Sequence, residues 1–341
     1  MADAIYVTQF GTSDQAFQRK EIQLDSTPEG YVTISVDTFG LNYADVMSRT
    51  GLYNDAPPLP FVPGYEVVGH IKEIGKSVTD FKEGDRVLAF TRFGGYAQEV
   101  QADVRAIQKL PDSISDEVGV ALATQYSTAY YMAIRAGNIQ KGEKVLVHAA
   151  AGGVGTALVQ LAKWKECEII GTAGSTEKLA YLKELGCHHP INYRTSDYEQ
   201  EVIKILGEKQ LDVAFNPIGG DTFKKDQRLL NSGARHFIFG VSTWSGKKGT
   251  LLDKIKLAWD FGLLHPLGFL MKSQGLIGVN MLRIADNKPQ IIGETLQACI
   301  DLYTQRIIRP HVGGVYPIAE LNKAHDLLEN RQTTGKVVVK W

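Results

Sequence analysis

The stretch Lys144-Val-Leu-Val-His-Ala-Ala-Ala-Gly-Gly-Val-Gly155 decides the fold of this chain. Its apolar run Val145–Val147 is typical of a short buried strand. The turn Ala150-x-Gly152-x-x-Gly155 follows, and an apolar helix pattern then runs over 156–162. Small residues let the backbone approach a pyrophosphate, and the free amides at a helix start hold its charge. This order of strand, glycine turn and helix predicts a dinucleotide-binding site.

Beyond the glycine turn, the pattern alternates between strands and helices. The strands are predicted at 144–148, 168–172, 189–193, 211–215, 235–239 and 276–281. The helices are predicted at 154–165, 176–185, 197–207 and 221–231. This alternation predicts an α/β fold with a six-stranded, doubly wound parallel sheet. The sixth strand, 276–281, would be an open edge, and pairing it with its twin predicts a homodimer.

The regions on either side of this alternating part have different patterns. Residues 1–112 are β-rich, with short runs at Tyr31–Val36, Glu66–Ile74, Arg86–Phe90 and Tyr96–Val100 broken by Gly, Pro and Asp. A helix is predicted at Asp116–Ala136, with Ser115 or Asp116 as its N-cap. The C-terminal part is predicted to form helix Ile291–Gln305, a loop, helix Ile318–Asn330 and a last strand, Lys336–Lys340. That last strand is expected to return to the first domain.

Composition excludes several classes of protein. The chain has 341 residues, of which 44% are apolar and 22% charged, so two globular domains are expected. The net charge of −1 argues against a nucleic-acid binder. No apolar run approaches the roughly 18 residues of a membrane helix, and the N-terminus lacks the pattern of a signal peptide. Three scattered cysteines support neither a disulfide framework nor a cysteine-rich zinc lobe, and a cytoplasmic location is expected.

Several motifs together resemble the medium-chain dehydrogenase/reductase superfamily, and within it the zinc-free quinone oxidoreductases. These are Gly40-Leu-Asn-Tyr-Ala-Asp45, Pro63-Gly-Tyr-Glu-Val-Val-Gly69, Gly84-Asp-Arg-Val87, Gly94-Gly-Tyr-Ala97, Ala149–Gly155 and Gly335-Lys-Val-Val338. Residues 254–280 are most similar to the vesicle amine transport protein branch. The resemblance implies a GroES-like catalytic domain, 1–124 with 284–341, and a Rossmann domain that binds NADPH, 125–283.

The resemblance also shows where a catalytic zinc would lie in the alcohol dehydrogenases of the superfamily. Their ligands are a Cys in the segment that corresponds to Gly40–Asp45 and a His just before the Glu of Pro-Gly-His-Glu. Here those positions hold Asn42 and Tyr65, and neither is a usual zinc ligand. Glu66 remains, but one carboxylate does not make a zinc site. No metal is therefore predicted, and a metal-polarised alkoxide is disfavoured.

The choice of nicotinamide cofactor depends on the end of the second strand of the sheet. An NAD site usually carries Asp or Glu there, about 20 residues after the glycines. Here the strand ends in Ala-Gly174-Ser175, and Glu177 comes too late and suits the first helical turn. Lys178 can reach a 2′-phosphate, and Ser175 can donate a hydrogen bond to it, so NADPH is favoured. The alternative for Lys178 is an ordinary solvated helix lysine.

The resemblance implies further contacts with NADPH. It matches Lys178, Tyr193 and Arg331 to side chains that hold the 2′-phosphate and the adenosine ribose. It places Thr128 and the segments 240–242 and 278–280 beside the nicotinamide. The full set of predicted cofactor contacts is Asn42, Thr128, Ala151, Gly152, Gly153, Val154, Gly174, Ser175, Lys178, Tyr193, Asn216, Gly240, Val241, Ser242, Asn280 and Arg331.

Reduction of a quinone or an enone requires positioning and a few hydrogen bonds rather than a nucleophile or a metal. Three catalytic residues are predicted. Asn42 would orient the substrate oxygen or the ribose, and Tyr65 would line the pocket. The resemblance matches Tyr53 to a Tyr at the cleft, which would donate to the developing oxyanion. Asn42 could instead cap a turn, Tyr53 could be surface packing, and Thr128 could bond back to its own helix. His148 is interpreted as a hydrogen-bonded core residue.

Two functions from different classes fit these patterns. The first is an NADPH-dependent reductase of quinones or α,β-unsaturated carbonyls, and the alternative is a dinucleotide-binding protein with little turnover and a structural or vesicle-associated role. The stretch 242–273, with an amphipathic helix predicted at 251–264, is interpreted as a lid or subunit contact. Membrane-surface contact is the less favoured alternative, because Asp253 and Asp260 dilute its positive charge.

Overall fold

The computed structural model describes residues 2–242, 261–262 and 265–341. The strands are Ala2–Val7 (β1), Phe17–Ile22 (β2), Tyr31–Leu41 (β3), Glu66–Ile74 (β4), Arg86–Phe90 (β5), Glu99–Asp103 (β6), Ile107–Lys109 (β7), Lys144–Val147 (β8), Glu168–Ala173 (β9), His189–Asn192 (β10), Leu211–Asn216 (β11), Leu230–Ile238 (β12), Gly275–Gly278 (β13), Val312–Pro317 (β14) and Lys336–Lys340 (β15). The α-helices are Ser13–Ala16 (α1), Tyr43–Arg49 (α2), Asp116–Ala121 (α3), Ser127–Tyr130 (α4), Gly153–Trp164 (α5), Thr176–Leu185 (α6), Tyr198–Leu206 (α7), Asp221–Leu229 (α8), Pro266–Lys272 (α9), Met281–Asn287 (α10), Pro289–Thr304 (α11) and Leu321–Glu329 (α12).

The chain divides into two compact units. The first unit consists of Met1–Thr128 and Met281–Trp341, and the second of Ala129–Asn280. Each unit has its own main sheet and its own cluster of buried apolar side chains.

The second unit is built on a parallel six-stranded sheet with the order β10-β9-β8-β11-β12-β13. Numbered within this unit, the order is 3-2-1-4-5-6, which is the arrangement of dinucleotide-binding folds. The predicted doubly wound sheet is therefore confirmed. Its apolar strands are buried on both faces, as shown by Leu146 and Ala214 on one face and Val145 and Val213 on the other, all of which are 0% exposed. The strand order reverses between β8 and β11, which lie side by side.

The first unit is built on a seven-stranded sheet with the order β14-β15-β3-β4-β5-β7, and β6 pairs with β3. The C-terminal strand β15 lies antiparallel to β3, so the prediction that it returns to the first domain is confirmed. Its other neighbour, β14, lies in a segment predicted to be a loop, and the pairing of β14 with β15 is parallel. That prediction was wrong because Gly313 and Gly314 weaken the strand pattern of β14.

The helical segment 116–136 departs from the regular helix that the sequence predicts. Ser115 caps it as expected, since its Oγ accepts a hydrogen bond from the amide of Val118 at 3.4 Å. Two stretches, Leu122–Tyr126 and Tyr131–Ala136, have π-helical hydrogen bonding. Such insertions are frequent at functional sites because they change the direction in which the following side chains point.

Several predicted boundaries were displaced by tertiary pairing. The strand predicted at Tyr96–Val100 is β6, which pairs with β3 only from Glu99 onward. The strand predicted at 235–239 begins at Leu230, directly after α8. The sixth strand is shorter than the predicted 276–281, because Met281 already begins α10.

Further expectations concern the sheet edge, the thiols and the helices. Strand β13 is the outermost strand of its sheet, as the sequence predicts. The three cysteines are buried and free, in agreement with the sequence. Among the described helices, none combines the length and the apolar composition needed to cross a bilayer. The amphipathic helix predicted at 251–264 lies outside the described residues, apart from 261–262.

Candidate cofactor and substrate sites

The glycine turn after β8 has the geometry of an anion-binding loop. Gly152 is the N-cap of α5, and its amide donates to the carbonyl oxygen of Ala149 at 2.9 Å. A Cβ atom on Gly155 would lie 2.3 Å from the Ala149 oxygen and 2.6 Å from the Cα of Ala150. Only glycine therefore allows α5 to start this close to the turn. The predicted contacts 151–154 lie at this helix N-terminus, where backbone amides favour a phosphate.

Ser175 and Lys178, the residues predicted to face a 2′-phosphate, follow β9 at the start of α6. Ser175 is the N-cap of α6; its Oγ accepts a hydrogen bond from the Lys178 amide at 3.4 Å, and its hydroxyl also bonds the carboxylate of Glu177. Glu177 lies in the first turn of α6, as expected. Burial, and then the charge of Arg194, lower the pKa of Lys178. A second cation therefore lies near the predicted phosphate-binding lysine.

The side chains of Tyr193 and Arg194 lie over Gly174, at the neighbouring ends of β9 and β10. A Cβ atom on Gly174 would be 2.7 Å from the Tyr193 hydroxyl and 3.1 Å from Nε of Arg194. The sequence analysis missed Arg194. Its signal was its position directly after Tyr193, because in the order 3-2-1-4-5-6 the end of the third strand lies beside the end of the second.

The loops after β11, β12 and β13 carry the residues predicted on the nicotinamide and ribose side. The amide of Ser242 donates to the carbonyl oxygen of Pro217 at 3.1 Å. A Cβ atom on Gly240 would lie 2.9 Å from that same oxygen. Val241 is partly buried within this loop, and Asn280 is partly buried just after β13. These residues thus follow the carboxyl ends of adjacent parallel strands, the edge at which such sheets bind ligands.

Asn42 belongs to the first unit and is the N-cap of α2. Such a capping role was the alternative to a catalytic role in the sequence analysis. Its Nδ2 donates to both carboxylate oxygens of Glu66, at 2.9 and 2.8 Å. Its Oδ1 accepts from Nζ of Lys336 at 3.0 Å, and that ammonium also donates to Glu66 and to the Leu41 carbonyl. Asn42 is therefore held by a buried ion pair, and Lys336 is a residue that the sequence analysis missed.

The ion pair between Glu66 and Lys336 is enclosed by the backbone. Both side chains are 0% exposed. A Cβ atom on Gly40 would lie 2.2 Å from Oε1 of Glu66 and 2.3 Å from Cε of Lys336, which explains the glycine in this strand. Thr124, from the first π-helical stretch, donates to the other carboxylate oxygen of Glu66. Strand, helix and C-terminal strand therefore meet at one carboxylate.

Asp45 lies beside this ion pair and joins two backbone segments. Its carboxyl oxygens accept from the amide of Asn42 at 2.8 Å and from the amide of Gly64 at 3.1 Å. Asp45 is the third residue of α2 rather than its N-cap, so it closes the first turn from inside the helix. Burial, and then the charge of Glu66, raise the pKa of Asp45 to about 8.

Tyr65 and Tyr53 are the phenols predicted to serve the substrate. The Tyr65 ring is 3% exposed, and its hydroxyl lies 3.0 Å from Oγ of Ser48. Tyr53 is half-buried, and the centroid of its ring lies 6.3 Å from that of Tyr65 in an edge-on contact. Burial raises the pKa of Tyr53 to about 12 and that of Tyr65 well above the ordinary value. Both phenols therefore keep their protons at neutral pH and can donate hydrogen bonds.

Three other predicted positions have structural contacts. Oγ1 of Thr128 donates to the Thr124 carbonyl at 2.6 Å, which is the alternative considered for it. The His148 ring lies 3.2 Å from Oγ1 of Thr172 and 2.9 Å from Oδ1 of Asp226, as expected of a hydrogen-bonded core residue. Arg331 is exposed and directly follows Asn330, the residue after α12. It belongs to the first unit, whereas Lys178 belongs to the second.

Comparison with known proteins places these features in a family. Residues 28–112 match the family described as "Alcohol dehydrogenase GroES-like domain", and residues 153–293 match "Zinc-binding dehydrogenase". The synaptic vesicle membrane protein VAT-1 homolog of Homo sapiens is 33% identical over 98% of this chain and 85% of its own length. The quinone oxidoreductase of Homo sapiens is 30% identical over 98% of this chain and 97% of its own length.

The chain belongs to the quinone oxidoreductase family of medium-chain dehydrogenases/reductases. The structure of Escherichia coli quinone oxidoreductase in complex with NADPH superposes with a TM-score of 0.86 and 26% identity, over 99% of this chain and 100% of that one. The predicted GroES-like and Rossmann folds and the resemblance to zinc-free quinone oxidoreductases are thereby confirmed.

A zinc ion does not fit around Asn42 and Glu66 of this chain, where the resemblance to alcohol dehydrogenases would place one. The Nδ2 protons of Asn42 are directed at Glu66, and the ammonium of Lys336 already occupies that carboxylate. A divalent cation there would face a buried positive charge. Within the described parts of the chain, no group of three or more His, Cys, Asp or Glu side chains could hold a metal ion.

Replacing Lys336 tests whether this ion pair supports the first unit. Lys336→Met leaves Glu66 buried without its cation, and we expect the free energy of unfolding to fall by about 3–5 kcal/mol in urea denaturation. Adding Glu66→Gln removes the unpaired charge and is expected to recover part of the loss. The control is Lys204→Met, which breaks an exposed pair with Glu201 and should change stability by less than about 0.5 kcal/mol. A loss equal to that of the control would show that the buried pair adds nothing.

Proposed function

We propose that this chain is a zinc-independent reductase that transfers a hydride from NADPH to a quinone or an α,β-unsaturated carbonyl compound. The observation that carries the proposal is the pair of cations formed by Lys178, near the start of α6, and Arg194, just after β10. The last residues of β9 and the cap of α6, 173–175, include no acid that could bind a ribose 2′-hydroxyl. Two cations without that acid suit a 2′-phosphate, which distinguishes NADPH from NADH.

The proposed roles follow the two units of the chain. Residues 125–283 are assigned as the NADPH-binding domain, in which the N-terminus of α5 takes the pyrophosphate and Ser175, Lys178, Tyr193 and Arg194 take the 2′-phosphate. Residues 1–124 and 284–341 are assigned as the catalytic domain. Asn42 is assigned a positioning role, because its amide is directed by Glu66 and Lys336.

The reaction needs one hydride and one proton. Bound NADPH supplies the hydride, so that NADPH, a proton and a quinone give NADP⁺ and a hydroquinone. Tyr53 is assigned as the donor to the developing oxyanion, because it is half-buried and its raised pKa keeps the phenol protonated. The buried ring of Tyr65 supports Tyr53 edge-on, and water supplies the proton.

The names of relatives support this substrate class. The set includes quinone oxidoreductases, among them a Pseudomonas syringae protein of known structure, and an enoyl reductase named CurK at 25% identity. Relatives named synaptic vesicle membrane protein VAT-1 homolog, at 33% identity, are the reason to keep the low-turnover alternative in the test. We further propose a homodimer that pairs through the edge strand β13, which follows the exposed Leu270 and Met271 in the chain.

The first test is oxidation of NADPH, followed at 340 nm, with a panel of quinones and enones. We expect turnover with at least one quinone or enone of the panel. The rate should be unchanged after treatment with EDTA and after added zinc. Loss of activity in EDTA with recovery in zinc would contradict the metal-free proposal. Tight binding of NADPH without turnover across the panel would favour the low-turnover alternative.

The second test concerns the choice of cofactor. Lys178→Ala and Arg194→Ala each remove a charged partner of the proposed 2′-phosphate, so we expect the Kd for NADPH to rise about 10- to 100-fold. The Kd for NADH should stay within about threefold. Lys183→Ala, an exposed lysine on the same helix, is the matched control. Equal losses for NADPH and NADH would show that the two cations do not read the 2′-phosphate.

The third test concerns the oxyanion donor. Tyr53→Phe removes the phenol proton but keeps the ring, and we expect kcat to fall at least about 10-fold with the Kd for NADPH unchanged. Because the pKa of Tyr53 is raised to about 12, the wild-type rate should not fall between pH 7 and 10 through loss of this proton. Tyr31→Phe, at an exposed strand position, is the control. A kcat equal to that of the wild type would remove Tyr53 from the mechanism.

A further inference from the structure

A single buried carboxylate, Asp226 on α8, collects hydrogen bonds from four parts of the second unit. Its Oδ1 accepts from Nε2 of His148 and from the Tyr198 hydroxyl, both at 2.9 Å. Its Oδ2 accepts from Nδ2 of Asn216 at 2.6 Å and from Nε2 of His236 at 3.1 Å. The Asp226 side chain is 0% exposed. The predicted cofactor roles account for Asn216 but for none of the other residues in this cluster.

The cluster is built to keep Asp226 an acceptor. Burial alone would raise the pKa of Asp226, but the charges and hydrogen bonds of His148 and His236 lower it below the ordinary value. Nδ1 of His236 faces Nε2 of Gln227, an amide nitrogen that can only donate, at 2.8 Å. The Nε2 of that ring is then left to donate to Asp226.

An acceptor-only group at this place determines which way the Asn216 amide points. Nδ2 must face Asp226, so Oδ1 must face the opposite side. There it accepts from the amide of Ile218 at 2.8 Å and from the amide of Gly219 at 2.9 Å. Gly219 and Gly220 both have positive φ, at 71° and 62°, and the turn they form is held by the Asn216 amide and by Oγ1 of Thr222, which donates to the Gly219 carbonyl at 2.8 Å.

The 216–220 turn also holds the neighbouring loop, 239–242. The amide of Phe239 donates to the Asn216 carbonyl at 3.2 Å, and the amide of Ser242 donates to the Pro217 carbonyl at 3.1 Å. The third contact of the cluster, His148, directly precedes the glycine turn after β8. One carboxylate therefore connects the starts of three loops at the carboxyl edge of the sheet.

We propose that Asp226 is a positioning residue for the cofactor, which sets the loops 216–220 and 239–242 by orienting the Asn216 amide. This inference deepens the NADPH-binding role proposed above and rests on it for its effect on affinity. The orientation of the loops themselves is independent of any ligand, and this allows the two proposals to be tested separately.

The test compares Asp226→Asn with Tyr198→Phe in the full chain. Asp226→Asn removes the charged acceptor of Asn216 Nδ2 and leaves it only the weaker acceptor Oγ1 of Thr222 at 3.0 Å, so the Asn216 amide is held less firmly in its direction. Tyr198→Phe removes a donor from the same carboxylate on the side that does not contact Asn216, and the hydroxyl's other hydrogen bond is to the Thr222 carbonyl at 3.1 Å, beyond the loop 216–220. We expect Asp226→Asn to speed hydrogen–deuterium exchange of the amides in 216–220 and 239–242 at least about fivefold, and to raise the Kd for NADPH about 10-fold. Tyr198→Phe should lower thermal stability with exchange and Kd within about twofold of the wild type.

Each outcome decides between the proposals. Unchanged exchange in Asp226→Asn, or an equal change of exchange in Tyr198→Phe, would overturn the positioning role and leave Asp226 as a polar core residue. A wild-type protein that does not bind NADPH would contradict the proposed function, while the exchange experiment would still test the loops. If Asp226→Asn does not fold, Asn216→Ala serves in its place, because it removes the loop anchor and leaves Asp226 with three donors. Unchanged exchange in that variant would also overturn the inference.

Discussion

All six strands of the second unit run in the same direction, and this is the constraint on which the candidate cofactor site depends. Parallel strands bring their carboxyl ends, and the loops that follow them, to one edge of the sheet. The glycine turn after β8, the Ser175 cap after β9, Tyr193 and Arg194 after β10 and the Asn216 turn after β11 are all found there. Residues spread over some 70 positions of sequence thereby share one environment, which no local pattern could arrange.

The first unit is organised by charge rather than by strand direction. Glu66 and Lys336 are fully buried, and the energy lost by removing two charges from water has to be offset by close pairing and further hydrogen bonds. Asn42, Thr124 and the Leu41 carbonyl supply those bonds. A buried pair of this kind fixes geometry more than it adds stability, so its clearest consequence is the defined orientation of the Asn42 amide. A fixed ammonium stands beside the carboxylate.

Much of the fold was predictable because the local periodicity of apolar residues differs between strands and helices. The strands and helices between residues 144 and 229 agree with the prediction to within about two residues, since apolar runs of period two and amphipathic runs of period 3.6 have different burial requirements. Strand β14 was not predictable, because its two glycines carry no such pattern and its pairing partner lies at the C-terminus. The π-helical stretches in 116–136 could not be predicted from the sequence either, because they arise from packing rather than from propensity.

By itself, the sequence determined the dinucleotide fold, the absence of an acid at 173–175 and the replacement of zinc ligands by Asn42 and Tyr65, because each is a matter of residue type at a motif position. Only the tertiary structure decided which groups those residues meet. Arg194 reaches Lys178 through strand order, Lys336 reaches Glu66 through the return of the C-terminal strand, and Asp226 reaches Asn216 through the packing of α8 on the sheet. Hydrogen bonds and charge pairs act over a few ångströms in space, and separation along the chain does not report that distance.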